Sequence, residues 1–272
     1  GERLLRVTSD DFLRANRAGL TALAAKDYGL EGRWQALDGE RDRNYRLTTA
    51  AGSYLVKVAA DVDPRAFDLQ VAALAHVAAV APDLPTTRTV PTARGESRAC
   101  LAAEGGEHRV WVSQWLHGDL LARRGPVELE TCESLGRLLG ELDRALESFD
   151  HEHVAREQKW DLLQADWIGA HLDAIEPGWL RDASCEVHEW FIERRQDLRA
   201  LRQGVVHNDA NDHNVLLGGA GGAEVVGLID FGDLCRTALV SEPAIAASYL
   251  AMRAHDPLAA VPAASASSPT TT

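Results

Sequence analysis

The sequence predicts an α+β fold with two lobes: a small N-terminal lobe built on an antiparallel β-sheet with a helix, and a larger, mostly helical C-terminal lobe. Three observations support this prediction. Short strand-like runs dominate the first third of the chain, whereas long helical periodicities dominate after Gly118. Two apolar runs within residues 205–229 interrupt those helices and indicate a short β-hairpin in the second lobe.

The N-terminal lobe, residues 1–113, is expected to begin with a helix. Ser9 suits the N-cap of a helix over residues 10–28, and Gly29 suits its end. The remaining elements of this lobe are read from alternation and turn residues. They are strands over residues 34–37, 45–48, 54–58 and 109–115, and a helix over residues 64–80 that has a proline in its first turn.

Residues 114–118 are predicted to form a hinge, and residues 119–257 the helical lobe. Helical periodicity covers residues 129–149, 165–175, 184–201 and 242–253. Residues 258–272 hold only Leu258 and Val261 as large apolar residues, so too little apolar surface is available to offset the entropy of ordering. We therefore expect a flexible tail or a linker to another domain of the same polypeptide.

Two motifs in the second lobe carry the chemistry. An apolar run ends in the pattern His-x-Asp-x-x-x-x-Asn, and a second run ends in Asp-Phe-Gly. Phosphoryl transfer needs a carboxylate that orients the acceptor hydroxyl, together with an Asn and an Asp that hold the metal on the phosphates. Asp209 suits the first task, and Asn214 and Asp230 suit the second. Ordinary surface residues beside a turn are the alternative interpretation.

The first lobe offers candidate nucleotide contacts. Lys57 ends the third strand, where a lysine can reach the α- and β-phosphates. The loop before the second strand has one glycine, and it supplies Arg41 or Arg43 to phosphate and Asn44 to fix the turn. A charged hairpin that is merely solvated is the alternative.

The helix over residues 64–80 and the hinge add further candidates. Asp68 and Gln70 face different ways on that helix, and its apolar positions favour Gln70 as the partner of Lys57. At the hinge, the carbonyl of Gln114 and the N–H of Leu116 are expected to bind the base. The nearby residues Trp111 and Trp115 would either pack around the base or belong to the core.

Composition excludes several functional classes. The formal net charge of −13 disfavours a nucleic-acid or anionic-membrane surface, because a polyanion would be repelled. No apolar run approaches the length of about 18 residues that a membrane span needs. The four cysteines form neither a Cys-x-x-Cys pair nor a cluster with histidine, which indicates free thiols in a reducing cytoplasm.

With these residues in place, the chain resembles the aminoglycoside phosphotransferase and choline kinase superfamily over about residues 15–257. Within it, residues 28–30, 39–47 and 229–246 are similar to hydroxylysine kinases and to the kinase-like domain fused to class III aminotransferases. The resemblance implies a bilobal protein-kinase-like fold, ATP or GTP as donor, Mg²⁺, and a small acceptor that carries a hydroxyl and an amine. It also implies that His207 hydrogen-bonds the backbone near Asp230.

The sequence specifies the acceptor-binding residues less clearly than it specifies the catalytic and metal-binding residues. Helical-lobe carboxylates (Asp161, Asp166 and Glu242) are candidates for binding the acceptor amine, together with Trp160 or Trp167 through a cation–π contact. Asn208 stands where glycine is common in the superfamily, and His213 precedes the metal-binding Asn, so a standard aminoglycoside is not expected. A kinase-like domain that binds nucleotide or substrate without turnover, within a larger enzyme, is the alternative function.

Overall fold

The computed structural model describes residues 8–39, 42–59, 64–103, 106–219 and 221–266. The chain divides into two units: Gly1–Ala75 with Thr86–Leu116, and His76–Pro85 with His117–Thr272. The first unit is built on a β-sheet, and the second holds most of the helices. The predicted α+β class is confirmed.

The first unit contains a six-stranded antiparallel sheet with the order β1-β2-β3-β6-β4, in which β5 also pairs with β6. Its elements are α1 (Ser9–Tyr28), β1 (Gly32–Leu37), β2 (Arg43–Thr49), β3 (Gly52–Val58), α2 (Pro64–Val80, of which the last residues belong to the second unit), β4 (Thr89–Val90), β5 (Ala99–Ala103) and β6 (Gly106–Gln114). Tyr45 and Leu47 alternate with more exposed residues along β2, and together with Val56 of β3 they belong to the core that includes residues of α1. The alternation expected for a strand with one buried face is therefore present.

Helix α1 shows how local residues set the ends of an element. The side chain of Thr8, not Ser9, caps the first turn by accepting the N–H of Asp11. Gly29 adopts a left-handed conformation (φ 67°) and donates its N–H to the carbonyl of Ala25 at 3.1 Å, which ends the helix as the sequence predicted.

The second unit combines long helices with two small antiparallel sheets, β10-β9-β7 and β11-β8. Its elements are β7 (Asp119–Leu120), α3 (Leu129–Leu146), α4 (Trp179–Ala200), β8 (Gln203–Val206), β9 (Val215–Gly218), β10 (Glu224–Leu228), β11 (Cys235–Ala238), α5 (Ser241–Arg253) and α6 (Pro257–Ala266), with 3-10 helices over Leu121–Arg123, Leu162–Ala174 and Phe231–Asp233. Helix α3 buries one face, which includes Leu135, Leu139 and Leu142. None of the residues of α4 is buried.

The structure differs from the sequence-based expectations at three places. Residues 258–266 belong to α6 instead of a flexible tail, because Ala-rich sequence favours helix and Ala260 is fully buried. Residues 76–85 group with the second unit, where His76 contacts the carbonyl of Ala145 at 3.0 Å. The helix expected over residues 165–175 is a 3-10 helix that begins at Leu162.

Candidate active site

The motif around His207 forms a loop directly after β8. His207 is fully buried, and its Nε2 lies 3.1 Å from the carbonyl of Ile229, next to Asp230. Its Nδ1 accepts the N–H of Asp209 at 3.3 Å, so Nε2 carries the proton and donates to Ile229. Burial lowers the pKa of His207 to about 4, which keeps the ring neutral. The imidazole therefore joins the ends of the two motif-bearing strands.

Asp209 is held by two amides. Its Oδ1 accepts Nδ2 of Asn211 at 2.7 Å, and its Oδ2 accepts Nδ2 of Asn214 at 2.7 Å. Burial raises the pKa of Asp209 to about 6, the bonds from the two Asn residues oppose the rise, and the nearby carboxylates of Asp233 and Asp230 add to it. The result is an oriented carboxylate that is ionised at neutral pH and more basic than an exposed Asp.

Asn214 and Asp230 leave the same end of the β9–β10 hairpin. Leu228 pairs with Val215, and the N–H of Ile229 donates to the carbonyl of Asn214 at 2.9 Å. The hairpin turn uses Gly219 and Gly222, both with positive φ. The sequence predicted this hairpin and the proximity of the two residues.

The donor set at the hairpin end fits a magnesium ion. Asn214 uses Nδ2 for both of its bonds to Asp209, and within the described ranges no residue donates to its Oδ1. Asp230 adopts a left-handed conformation (φ 64°) and accepts the N–H of Gly232 at 3.3 Å. No group of three or more His, Cys, Asp or Glu residues suitable for a metal occurs in the described part of the chain. Two oxygen ligands without a closed protein cage suit Mg²⁺, which is commonly completed by phosphate oxygens and water.

Glu242 anchors the catalytic loop, and the structure does not support its predicted contact with an acceptor. It is fully buried, and its Oε2 accepts the N–H of Asn208 at 3.0 Å. Asn208 has a left-handed backbone (φ 65°), and its Nδ2 donates to the carbonyl of Trp160 at 3.3 Å. Burial raises the pKa of Glu242, and burial together with the Glu242 carboxyl raises the pKa of Asp143. The two carboxyl groups therefore retain protons that exposed carboxyls would lose.

Asp161 and Asp166, the other predicted acceptor ligands, also have structural partners. Asp161 is 5% exposed, caps the 3-10 helix at Leu163, and accepts the hydroxyl of Thr237 at 2.6 Å. Asp166 forms an ion pair with Arg195 of α4 at 3.0 Å. The sequence alone could not exclude Asp161 and Asp166 as acceptor ligands, because their partners Thr237 and Arg195 are remote in the chain.

The two tryptophans expected to receive the acceptor amine already hold an internal cation. Trp160 and Trp167 pack edge to face with their ring centroids 5.9 Å apart. The Nζ of Lys159 lies 4.9 Å from the Trp160 ring centroid and 4.3 Å from that of Trp167. A lysine of the chain occupies this cation–π site, so the contact of these tryptophans with an acceptor amine stays a prediction.

The sequence analysis named Trp160 and Asp161 as acceptor candidates but did not predict that segment 156–161 contacts the motif loops. Arg156 donates to the carbonyls of Gly232 and Leu234, and Gln158 donates to Oδ1 of Asp233 at 2.7 Å. The segment shows no periodicity, so its only local signal was the Asp161 cap. Asn211 was also missed, although an amide two residues after Asp209 is a recognisable loop pattern.

In the first unit, Lys57 is 7% exposed and its Nζ lies 5.5 Å from the ring centroid of Trp111. Asp68 is paired with Arg98 at 2.8 Å, which leaves Gln70 as the candidate partner on α2. Gln70 is 8% exposed, but its amide makes no hydrogen bond to any residue that the structure describes. The contact between Gln70 and Lys57 therefore stays a prediction.

The loop and hinge candidates differ in their surroundings. The guanidinium of Arg43 lies over Phe12, 4.3 Å from the ring centroid, so its placement favours packing over a phosphate contact. Asn44 donates to the carbonyl of Asp38 at 3.3 Å and closes the turn, whereas Arg41 lies outside the described residues. Trp111 is buried against Phe67 and belongs to the core.

Of the hinge candidates, Gln114 ends β6 and Leu116 follows it in the chain. Gln114 is exposed, and its N–H donates to Arg88 at 2.8 Å. The N–H of Leu116 donates to no backbone carbonyl among the residues described. Their role in nucleotide binding stays a prediction.

Comparison with known proteins identifies a family. Residues 34–270 match the model described as "Phosphotransferase enzyme family". The chain is 24% identical to hydroxylysine kinase of Mus musculus over 268 residues, which cover 89% of this chain and 70% of that protein. It is 30% identical over 228 residues to homoserine kinase of Methylobacillus flagellatus, which covers 82% of this chain and 65% of the relative.

A solved structure supports the fold. The amicoumacin kinase hAmiN, in complex with AMP-PNP, Ca²⁺ and Ami, superposes with a TM-score of 0.61 at 16% identity, over 88% of this chain and 70% of that chain. The predicted bilobal kinase-like fold is confirmed by this similarity. Across the described ranges, the helices are too short or too polar to cross a membrane.

Proposed function

The chain belongs to the phosphotransferase enzyme family, and we propose that it transfers the γ-phosphoryl group of ATP or GTP to a hydroxyl of a small, amine-bearing acceptor. The predicted superfamily, the resemblance to hydroxylysine kinases and the enzyme class, a phosphotransferase with an alcohol group as acceptor, are confirmed. The donor nucleotide, the metal and the acceptor are parts of the proposal.

The arrangement of Asp209 carries the proposal. Two amide donors fix both of its oxygens, and burial raises its pKa to about 6, so it is ionised but basic at neutral pH. A carboxylate with these properties suits the orientation of an acceptor hydroxyl and the acceptance of its proton. A residue that served only to bind a nucleotide would not need both of its oxygens oriented in this way.

Asn214 and Asp230 are the residues that would hold Mg²⁺, whose charge would neutralise the phosphate oxygens when it is bound. His207 and Glu242 position the loop that carries Asp209 through their backbone contacts. Lys57, Gln70, Arg43, Asn44, Gln114 and Leu116 remain the candidate nucleotide-binding residues of the first unit. Arg43 is the weakest of them, because its guanidinium lies over Phe12.

The names of the relatives support the proposed class of acceptor. Hydroxylysine kinase and homoserine kinase are named for acceptors that carry both a hydroxyl and an amine, as the sequence reading expected. The solved hAmiN complex contains a nucleotide analogue and a divalent cation, which supports a nucleotide donor and a metal here. Free cysteines at all four positions support the proposed cytoplasmic location.

One experiment separates this proposal from a domain that binds without turnover. Nucleotide binding is measured by thermal shift with ATP or GTP and Mg²⁺, and ADP or GDP release is measured with a panel of hydroxylated amines and neutral sugars. We expect Mg²⁺-dependent release with an amine-bearing alcohol. Nucleotide binding without release for any acceptor would favour the binding domain, and release with sugars alone would refute the acceptor class.

A further inference from the structure

The segment 156–161 runs alongside both motif loops and is fixed to each of them. Arg156 and Gln158 bind the loop that follows Asp230, through the carbonyls of Gly232 and Leu234 and the carboxylate of Asp233. The carbonyl of Trp160 accepts the side chain of Asn208, the residue before Asp209. The backbone of this segment is therefore held beside the loop that carries the proposed catalytic carboxylate.

Lys159 is a cation of this segment whose ammonium contacts aromatic rings and not a carboxylate. In the described ranges, it forms no ion pair. Its Nζ instead lies over the rings of Trp160 and Trp167, and the indole of Trp167 donates to the Lys159 carbonyl at 3.1 Å. The two rings restrict the side chain, but a cation–π contact leaves N–H groups of the ammonium able to donate hydrogen bonds.

Several other cations of the second unit already have partners. Arg195 pairs with Asp166, Arg236 with Asp150, and Arg253 with Asp212. Arg156 binds two carbonyls. The charged groups that act on Asp209 are the carboxylates of Asp233 and Asp230. An acceptor that carried a carboxylate would be repelled here unless a fixed cation received that carboxylate.

We propose that Lys159 binds the carboxylate of the acceptor, so that the acceptor is a hydroxylated amino acid and not an amino alcohol without a carboxylate. The inference rests on the proposed function and narrows its acceptor class. Trp160 and Trp167 hold the ammonium in place and reduce the rotamer entropy lost on binding. Lys159 is thus a specificity-determining residue rather than part of the phosphoryl-transfer machinery.

The test uses two pairs of acceptors that differ only in the carboxylate. Homoserine is compared with 3-amino-1-propanol, the product of its decarboxylation. Hydroxylysine is compared with the hydroxylated diamine that its decarboxylation gives. Acceptor binding is measured by calorimetry in the presence of Mg²⁺ and a non-hydrolysable ATP analogue, and turnover by ADP release. The variants are Lys159→Gln, Lys159→Arg and the control Lys26→Gln, which removes a lysine from the last turn of α1.

We expect the wild-type chain to bind at least one amino acid more tightly than its decarboxylated counterpart. Lys159→Gln should raise Kd and KM for that amino acid by about 10- to 100-fold, the scale of one hydrogen bond to a charged group. It should leave kcat and the values for the decarboxylated compound within about twofold. Lys159→Arg should restore much of the loss, and Lys26→Gln should have no effect.

Other outcomes separate the possible failures. Equal binding of both members of each pair, or an equal loss for both in Lys159→Gln, would overturn the role of Lys159. If Lys159→Gln weakened binding of the nucleotide analogue but not of the amino acid, Lys159 would be a phosphate ligand. That result would also overturn its role in binding the acceptor carboxylate. Binding of the amino acid that depends on Lys159, without ADP release, would support the inference and refute the proposed function instead.

Discussion

The hydrogen bond between Thr237 and Asp161 offers a stringent test of how the segment 156–161 is held. The Thr237 hydroxyl on β11 donates to Oδ1 of Asp161 at 2.6 Å, and both side chains are buried. Thr237→Val keeps the shape of the side chain and removes only the donor. Asp161 would retain two partners, the N–H of Leu163 and the amide of Gln164.

The expected loss of unfolding free energy depends on whether the group that accepts the hydrogen bond, the Asp161 carboxylate, is charged. A hydrogen bond to a charged group contributes about 1.5–3 kcal/mol, whereas a neutral one contributes about 0.5–1.5 kcal/mol. Because Asp161 is 5% exposed, water cannot readily replace the missing donor. We expect Thr237→Val to lower the free energy of unfolding by about 1.5–3 kcal/mol, and Tm by about 3–10 °C for a domain of this size.

Thr131 provides the matched control. It is 3% exposed, and its hydroxyl donates to the neutral carbonyl of Ala223 at 2.9 Å. Urea denaturation of Thr237→Val and Thr131→Val, with unchanged m-values, gives the two free-energy losses. If Thr237→Val loses no more than Thr131→Val, Asp161 is not a charged anchor, and our account of how the segment is fixed is wrong.

Three further predictions concern the chemistry, the metal and pH. Asp209→Asn should lower kcat by about 10²–10⁴-fold with little change in nucleotide Kd, because only the oriented base is lost; a variant that retains a tenth of the wild-type rate would contradict the assignment. Asp230→Ala should abolish the gain in nucleotide affinity that Mg²⁺ gives in calorimetry, whereas Asp119→Ala, at an exposed ion pair, should retain it. Burial and the Glu242 carboxyl raise the pKa of Asp143 against the effect of Arg202, so the folded chain binds a proton that the unfolded chain releases above pH ~4. Stability should therefore fall as pH rises from that value, and Asp143→Asn should reduce the slope of unfolding free energy against pH; an unchanged slope would refute the shift.

Local signals explain what the sequence predicted well. The β9–β10 hairpin follows from two apolar runs and a glycine turn, and these fix the positions of Asn214 and Asp230 without any remote contact. The helix over Pro64–Val80 was predicted with its observed bounds, because proline in the first turn marks its start. The catalytic assignment of Asp209 stays a prediction, but its place in a loop after β8 follows from the same local pattern.

Remote partners explain what the sequence did not predict. Asp161 and Glu242 looked like available carboxylates, but Thr237 and the backbone of Asn208 bind them from distant positions in the chain. Residues 258–266 have the composition of a linker but form part of α6, in which Ala260 is buried against other helices. No local pattern indicates such contacts, because they depend on how the helices pack.

Helix α4 has no fully buried residue, and positions such as Trp179 and Val187 are 80% and 66% exposed, although Arg195 of its other face pairs with Asp166. Substitutions at such positions usually change stability by less than about 0.5 kcal/mol. The exposed positions of this helix should therefore accept substitutions that leave the motif loops in place. For protein engineering, a combinatorial library restricted to the exposed positions of α4 should yield mostly folded variants, and its members can be selected for new acceptors.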